Sequence, residues 1–158
     1  MKDVIIVGTG KAGFLHYYSY QKFKNMGKIY FVDIDGKMKN ENIKESKVYL
    51  SLKDAIKEEK LDVKNTIVDV FIDIIMQCKK LNLKDILVEK PFIVNDEFFS
   101  ENKDLNIVMV HNYVYSKIVK KMKYILEQKK LTPVIIYTNF SKNRTEESFN
   151  GRGMYKKT

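Results

Sequence analysis

The sequence predicts an α/β fold: a doubly wound parallel sheet with helices on both faces. Three observations lead there. The chain opens on Val4-Ile5-Ile6-Val7, an unbroken apolar run of the kind that a strand buried on both faces requires. That run meets Gly8-Thr9-Gly10-Lys11-Ala12-Gly13, and a helix-like segment follows. Strand-type and helix-type segments then alternate along most of the chain, the pattern of a parallel sheet built from crossover units.

The glycine pattern G-x-G-x-x-G, placed between a strand and a helix, is a Rossmann-type dinucleotide-binding fingerprint with a physical reading. Gly8 permits the tight strand-to-helix turn, Gly10 lets a pyrophosphate approach the backbone, and Gly13 lets the helix pack close to the strand. The N–H groups of the turn and first helical residues, with the helix dipole behind them, then face the phosphates. The expected cofactor-binding set is therefore Gly8, Thr9, Gly10, Lys11, Ala12 and Gly13. Lys28-Ile29-Tyr30-Phe31-Val32 reads as the next strand and ends at Asp33, twenty positions after Gly13. An acid at about that distance accepts hydrogen bonds from the adenosine ribose, with Ile34 beside it. Asp33 repels a 2′-phosphate, which favours NAD over NADP. Lys37 and Lys39 soften that preference, and Asp35 either shares the ribose or caps a turn.

The remaining elements follow in order. The first strand covers about 3–8. The first helix covers about 11–25, with Gly27 as its C-cap. Val48-Tyr49-Leu50 forms a brief third strand. Ser51-Leu52-Lys53-Asp54 resembles a capping box and opens a helix to about Lys60. Thr66–Phe71 is a fourth strand, and Ile72–Leu81 a helix with Ile72, Ile75, Met76 and Lys79 at helical spacing. Asp85–Glu89 is a fifth strand, ended by Lys90-Pro91 because proline cannot donate to a ladder. Asn95 caps a short helix, Ile107–Val110 is a sixth strand, and Ser116–Lys130 a basic amphipathic helix. Val134–Phe140 reads as a further, long strand. Ligands bind outside the carboxyl ends of parallel strands, so the glycine turn, Asp33, Phe71, Glu89–Pro91 and His111–Tyr113 should face one crevice.

Composition sets the outer bounds. The chain has 158 residues, 44% of them hydrophobic, enough for one domain with a real core and part of a second. No apolar run suffices to span a bilayer, and Met1-Lys2-Asp3 opens directly into a strand rather than a signal peptide. A single cysteine, Cys78, excludes an internal disulfide framework, fits the cytoplasm, and sits in an apolar stretch as a buried thiol would. The net charge is +9, but Arg144 and Arg152 are the only arginines. Lysine lacks the planar fork of specific phosphate and base contacts, so solvated lysine faces are expected rather than nucleic-acid binding.

Several segments together resemble the glucose–fructose oxidoreductase / inositol dehydrogenase / MocA (Gfo/Idh/MocA) family. They are Gly8-Thr9-Gly10-Lys11-Ala12-Gly13-Phe14-Leu15-His16, Val32-Asp33-Ile34-Asp35, Ser51–Ile56, Val88-Glu89-Lys90-Pro91-Phe92 and Asn112-Tyr113-Val114-Tyr115-Ser116. The glycine motif is shared by many families, whereas Glu-Lys-Pro at this place is fairly specific. The resemblance implies NAD(P)-dependent oxidation or reduction of a sugar, cyclitol or related polyol or ketone. Lys90 would then touch the reacting oxygen, suited to acid/base work if burial and neighbouring charge bring its pKa toward neutrality. Pro91 would fix the turn, in this family often through a cis peptide, and Glu89 would orient the loop. His111, Asn112 and Tyr113 would face substrate. His16 is expected to pack and hydrogen-bond under the sheet.

The chain departs from the family pattern in three places. Phe71-Ile72-Asp73 stands where a Thr-Pro segment ending in histidine is usual. Val114 replaces an arginine. The second domain, with its Asp-x-x-x-His arrangement, is not found after Gly153. The expected organisation is a nucleotide-binding domain over 1–115, with a connecting helix and first strand of a truncated second domain over 116–158. Three functions stay open: an oxidoreductase; a non-catalytic dinucleotide-binding module; and an interaction protein, with residues 134–140 as a strand edge that pairs copies of the chain.

Overall fold

A computed structural model describes residues 1–39, 43, 46–110 and 116–133. The expected strand Val134–Phe140 and the expected substrate residues His111, Asn112 and Tyr113 lie outside these described residues. The chain forms two compact units, Met1–Asn112 and Tyr113–Thr158.

The first unit carries a six-stranded sheet in the order β3-β2-β1-β4-β5-β6, every pair parallel. The strands are β1 (Lys2–Val7), β2 (Met26–Val32), β3 (Val48–Tyr49), β4 (Thr66–Val70), β5 (Asp85–Val88) and β6 (Asn106–Met109). Between them run α1 (Lys11–Tyr20), α2 (Leu52–Glu59), α3 (Ile75–Lys80) and α4 (Asp96–Glu101). This is the expected α/β, Rossmann-like architecture. The strand order turns back between β1 and β4, which opens a crevice at their carboxyl ends.

The apolar run at the N-terminus becomes the central strand. Val4, Ile5 and Ile6 are buried, and alternate side chains feed two cores on opposite faces. Ile5 joins Val68, Val70, Ile75, Leu83 and Val88 on one face. Val4 and Ile6 join Tyr20 and Phe31 on the other. Because side chains alternate along β4, Val68 and Val70 face the first core. Asp69 therefore faces α1, buried among apolar neighbours.

Capping follows the sequence where short polar residues stand at helix starts. Ser51 accepts from the Asp54 N–H at α2, and Asn95 accepts from the Phe98 N–H at α4. Helix α1 stops at Tyr20, five residues short of the expected end, and residues 21–25 form turns into β2. Gly27 is consequently no C-cap. It lies within β2 next to an irregularity in the β1–β2 register, and a Cβ there would meet Asp3 Oδ1 at 2.2 Å. The missing side chain lets Asp3 accept from the Lys28 N–H at 2.8 Å. The helix expected over 72–81 begins as a 3-10 turn, Ile72–Ile74, before α3. Cys78 is fully buried, and burial pushes its thiol up to about 12, as fits a structural residue.

In the second unit, Ser116 caps α5 (Lys117–Gln128) by accepting from the Val119 N–H. Ile118, Met122 and Ile125 recur at helical spacing and are exposed. Among the described residues, no helix is long and apolar enough to cross a membrane.

A Cβ at Gly13 would lie 2.0 Å from the Gly8 carbonyl oxygen, a backbone atom that cannot swing aside. Gly13→Ala should therefore destabilise the domain by about 1–3 kcal/mol, the range for overpacking, measured by urea denaturation. An unchanged midpoint would show that α1 is free to move away from β1.

Candidate dinucleotide-binding site

The turn after β1 has the geometry that the glycine pattern predicts. Gly8 adopts φ +102°, a conformation open to glycine and strained for other residues, and its N–H donates to the Val32 carbonyl. Gly10 is the N-cap of α1 and gives the helix no side-chain cap. Nothing lies within 4 Å of the position a Cβ on Gly10 would take. Lys11 and Ala12, whose N–H groups open α1 without a side-chain cap, are exposed, as the approach of a pyrophosphate needs. Gly13 is buried against Gly8. The residues present therefore fit a dinucleotide at this turn.

Asp33, just past β2, stands next to the turn and is buried. Its Oδ2 receives the Thr9 N–H and lies 2.9 Å from the Thr9 hydroxyl. Its Oδ1 receives the Asp35 N–H at 3.2 Å. The Lys39 ammonium covers the same carboxylate at 3.2 Å and also pairs with Asp35 at 3.0 Å. Burial pushes the Asp33 carboxyl up, but the bonds from Thr9, Asp35 and Lys39 outweigh it and hold the group down at about 2. Asp33 is thus a fixed anion that buttresses the turn through Thr9. Ile34 is largely exposed and makes no part of the core.

Across the crevice, the half-exposed Phe71 ring lies over the glycine turn, since a Cβ on Gly8 would come within 3.6 Å of it. The chain after β4 enters its 3-10 turn at once, so Phe71 stands alone at the place of the longer segment expected from the family pattern.

Beyond β5, Glu89, Lys90 and Pro91 form the next loop. The Glu89 N–H donates to the Val70 carbonyl, and the Lys90–Pro91 peptide is cis. Glu89 Oε2 accepts from the Lys90 N–H at 3.1 Å. Lys90 is exposed. The partial burial that would suit it to proton transfer is therefore not supplied by the described residues.

His16 packs and hydrogen-bonds as expected, and does so through both ring nitrogens. Its Nδ1 lies 2.5 Å from Asp69 Oδ2, and its Nε2 lies 2.8 Å from Glu89 Oε1. The Tyr20 hydroxyl donates to the same Asp69 oxygen at 3.2 Å. The hydrogen bond with Asp69 raises the imidazole pKa above its usual value; burial opposes this, and the charges of Asp69 and Glu89 reinforce it. Sequence reasoning missed Asp69. Its signal was a lone acid inside Thr66-Ile67-Val68-Asp69-Val70, because a carboxylate buried in an apolar strand requires a partner.

No family model matches the sequence, and no curated protein matches it. Solved structures do. A putative NADPH-dependent oxidoreductase from Desulfitobacterium hafniense DCB-2 matches with TM-score 0.59 and 18% identity, over 82% of this chain and 40% of that one. GenD2 from gentamicin A biosynthesis, in complex with NAD, matches with TM-score 0.62 and 16% identity over the same shares. RSP, a Rex-family repressor, in complex with β-NADH, matches with TM-score 0.50 and 19% identity, over 82% of this chain and 62% of that one. The chain thus spans about two fifths of the length of each of the first two of these proteins. These likenesses establish the fold.

The low pKa of Asp33 makes stability depend on acid. Its contribution is complete above the ordinary carboxylate range and is lost as pH falls toward about 2. At about pH 3 the loss relative to neutrality should be about 1 kcal/mol. Asp33→Asn should remove that share of the difference between denaturation curves at the two pH values.

Proposed function

We propose that this chain binds a nicotinamide dinucleotide across the β1–β4 crevice, as the cofactor half of an oxidoreductase-like site. The observation that carries the reading is the glycine turn: Gly8 at positive φ, open space at Gly10, and an uncapped α1 N-terminus beside an ionised Asp33. The pyrophosphate would lie on Gly10, Lys11 and Ala12, with Thr9 and Gly13 holding the turn. The adenosine ribose would meet Asp33 beside Ile34. A bound nicotinamide supplies hydride chemistry, while the protein binds, orients and excludes water. Lys90 would donate to the reacting oxygen of a sugar-like alcohol or ketone, with Glu89 and Pro91 shaping its loop. By the family resemblance alone, His111, Asn112 and Tyr113 would face the substrate.

NAD is the preferred cofactor in this reading. The Asp33 carboxylate repels a 2′-phosphate more than Lys39 attracts one, because that ammonium is already shared between Asp33 and Asp35. A second reading, a dinucleotide-binding module without turnover, draws on the exposure of Lys90 and on the short crossing after β4.

Calorimetric titration of NAD and NADP tests the proposal. Wild type should bind NAD more tightly than NADP, and binding of neither would sink both readings. Gly10→Val is the sharp control, since its Cβ enters open space and the Gly10 backbone (φ −77°, ψ −166°) suits any residue. It should cost about 1 kcal/mol of stability, as valine is a poorer N-cap than glycine, leave the domain folded, and weaken NAD binding by about tenfold or more. With NAD bound, turnover of a sugar or polyol that Lys90→Ala abolishes would favour the enzyme, and binding without turnover the module.

A further inference from the structure

We propose that His16 is a positioning residue whose protonation locks the Glu89–Lys90–Pro91 loop to the nucleotide-binding helix α1. The inference rests on the dinucleotide reading only for its consequence in binding; the lock itself is a property of the free protein.

The geometry makes the case. Both ring nitrogens of His16 lie within hydrogen-bonding distance of carboxylate oxygens, Asp69 at 2.5 Å and Glu89 at 2.8 Å. An ionised carboxylate only accepts, and a neutral imidazole carries a single N–H. Only imidazolium satisfies both contacts. The nitrogens point to opposite sides of the ring, so the three side chains bridge elements rather than converge on one point as metal ligands do. Among the described residues, no group of acids, histidines and cysteines could hold a metal ion.

Loss of the proton leaves a lone pair facing one carboxylate, and the structure decides which contact breaks. Asp69 is fixed within β4, nearly inaccessible, and also accepts from the Tyr20 hydroxyl. Glu89 lies at the strand end, is more exposed, and belongs to a loop. The neutral ring therefore keeps Nδ1–H on Asp69 and releases Glu89. Glu89 Oε2 also accepts from the Lys90 N–H, so this release is felt at the backbone next to the proposed acid/base. The charged and titratable groups against His16 are Asp69 from β4, Glu89 from the end of β5, and Tyr20 from α1 through Asp69. The raised imidazole pKa agrees with this arrangement. The lock is closed below the ordinary histidine range and opens as pH rises through the raised value.

The test follows the Lys90 amide and the His16 ring of the full chain by NMR from about pH 5.5 to about pH 9. The Lys90 amide should titrate with the same midpoint as the ring, above the ordinary histidine value. In Glu89→Gln the ring midpoint should fall and the amide should lose its response. A Lys90 amide that stays flat while His16 titrates would overturn the proposal, as would an unaltered response in Glu89→Gln. Should that variant fail to fold, His16→Gln serves: its single amide cannot lose a proton, so the amide response should vanish. In parallel, the Kd for NADH should rise about three- to tenfold across the same midpoint, a modest effect because Glu89 is partly solvated. Tight NADH binding that ignores pH over this range would overturn the coupling of the lock to the cofactor, while the Lys90 amide decides the lock itself. Absence of NADH binding at every pH would refute the dinucleotide reading alone, and the Lys90 amide would still decide the lock.

Discussion

Helix α1 and the turn after β1 meet backbone to backbone. Gly13 lies so close to the Gly8 carbonyl that no side chain fits between them, and Gly8 holds a left-handed conformation to present that carbonyl. Most of the site follows from this approach. It fixes the start of α1 above the carboxyl end of β1, where uncapped N–H groups open onto the crevice. It also fixes the helix rotation. His16 and Tyr20 follow Gly13 at three and seven positions, so all three share the face turned to the sheet. That face meets Asp69. One packing constraint therefore creates both the uncapped end of the helix and the polar contact beneath it.

Two buried carboxylates flank this helix and are handled differently. Asp33 is held ionised by backbone donors and by Thr9, with Lys39 as a half-exposed cover. Its charge is a permanent feature of the turn near neutrality. Asp69 is answered by an imidazole and a phenol. Its partner is an imidazole whose pKa is raised by that carboxylate, so this charge balance is conditional on the ring keeping its proton. The burial cost of a carboxylate is met in both cases, but only the second is met by a group that can itself lose its proton.

The sheet was legible because each strand carries its signal locally. Val4–Val7 and Thr66–Val70 are apolar runs, and their alternation with helical segments dictates a parallel sheet. The glycine turn was equally legible, since each glycine answers a steric demand. Helix ends were read less well. Residues 21–25 carry no breaker, and α1 stops because the chain must turn to enter β2. Gly27 misled because glycine suits a helix end and a crowded strand alike; only the Asp3 side chain across the sheet distinguishes them. The partners of His16 were out of reach for the same reason: Asp69 and Glu89 lie far along the chain and meet it only through sheet register. The family resemblance prepared Lys90, Glu89 and Pro91 as a loop, but exposure is a tertiary property, and Lys90 lies in the open.

That exposure and the His16 bridge bear on one another. A lysine on a strand-end loop carries reacting groups well only if the loop has a defined shape, because catalytic geometry tolerates small displacements poorly. The loop is anchored from below by strand hydrogen bonds, the Glu89 N–H to Val70 and the Val110 N–H to Val88. Its side facing α1 is anchored through the Glu89 carboxylate, divided between the His16 ring and the Lys90 N–H. The ring in turn is seated on Asp69 in the central part of the sheet. The same residues thus connect the helix that would hold the pyrophosphate, the strand that closes the crevice and the loop that would meet the nicotinamide. Under the proposed function, a mutation in this bridge would act on cofactor affinity and loop geometry together, whereas a change at the exposed end of Lys90 would act on chemistry alone.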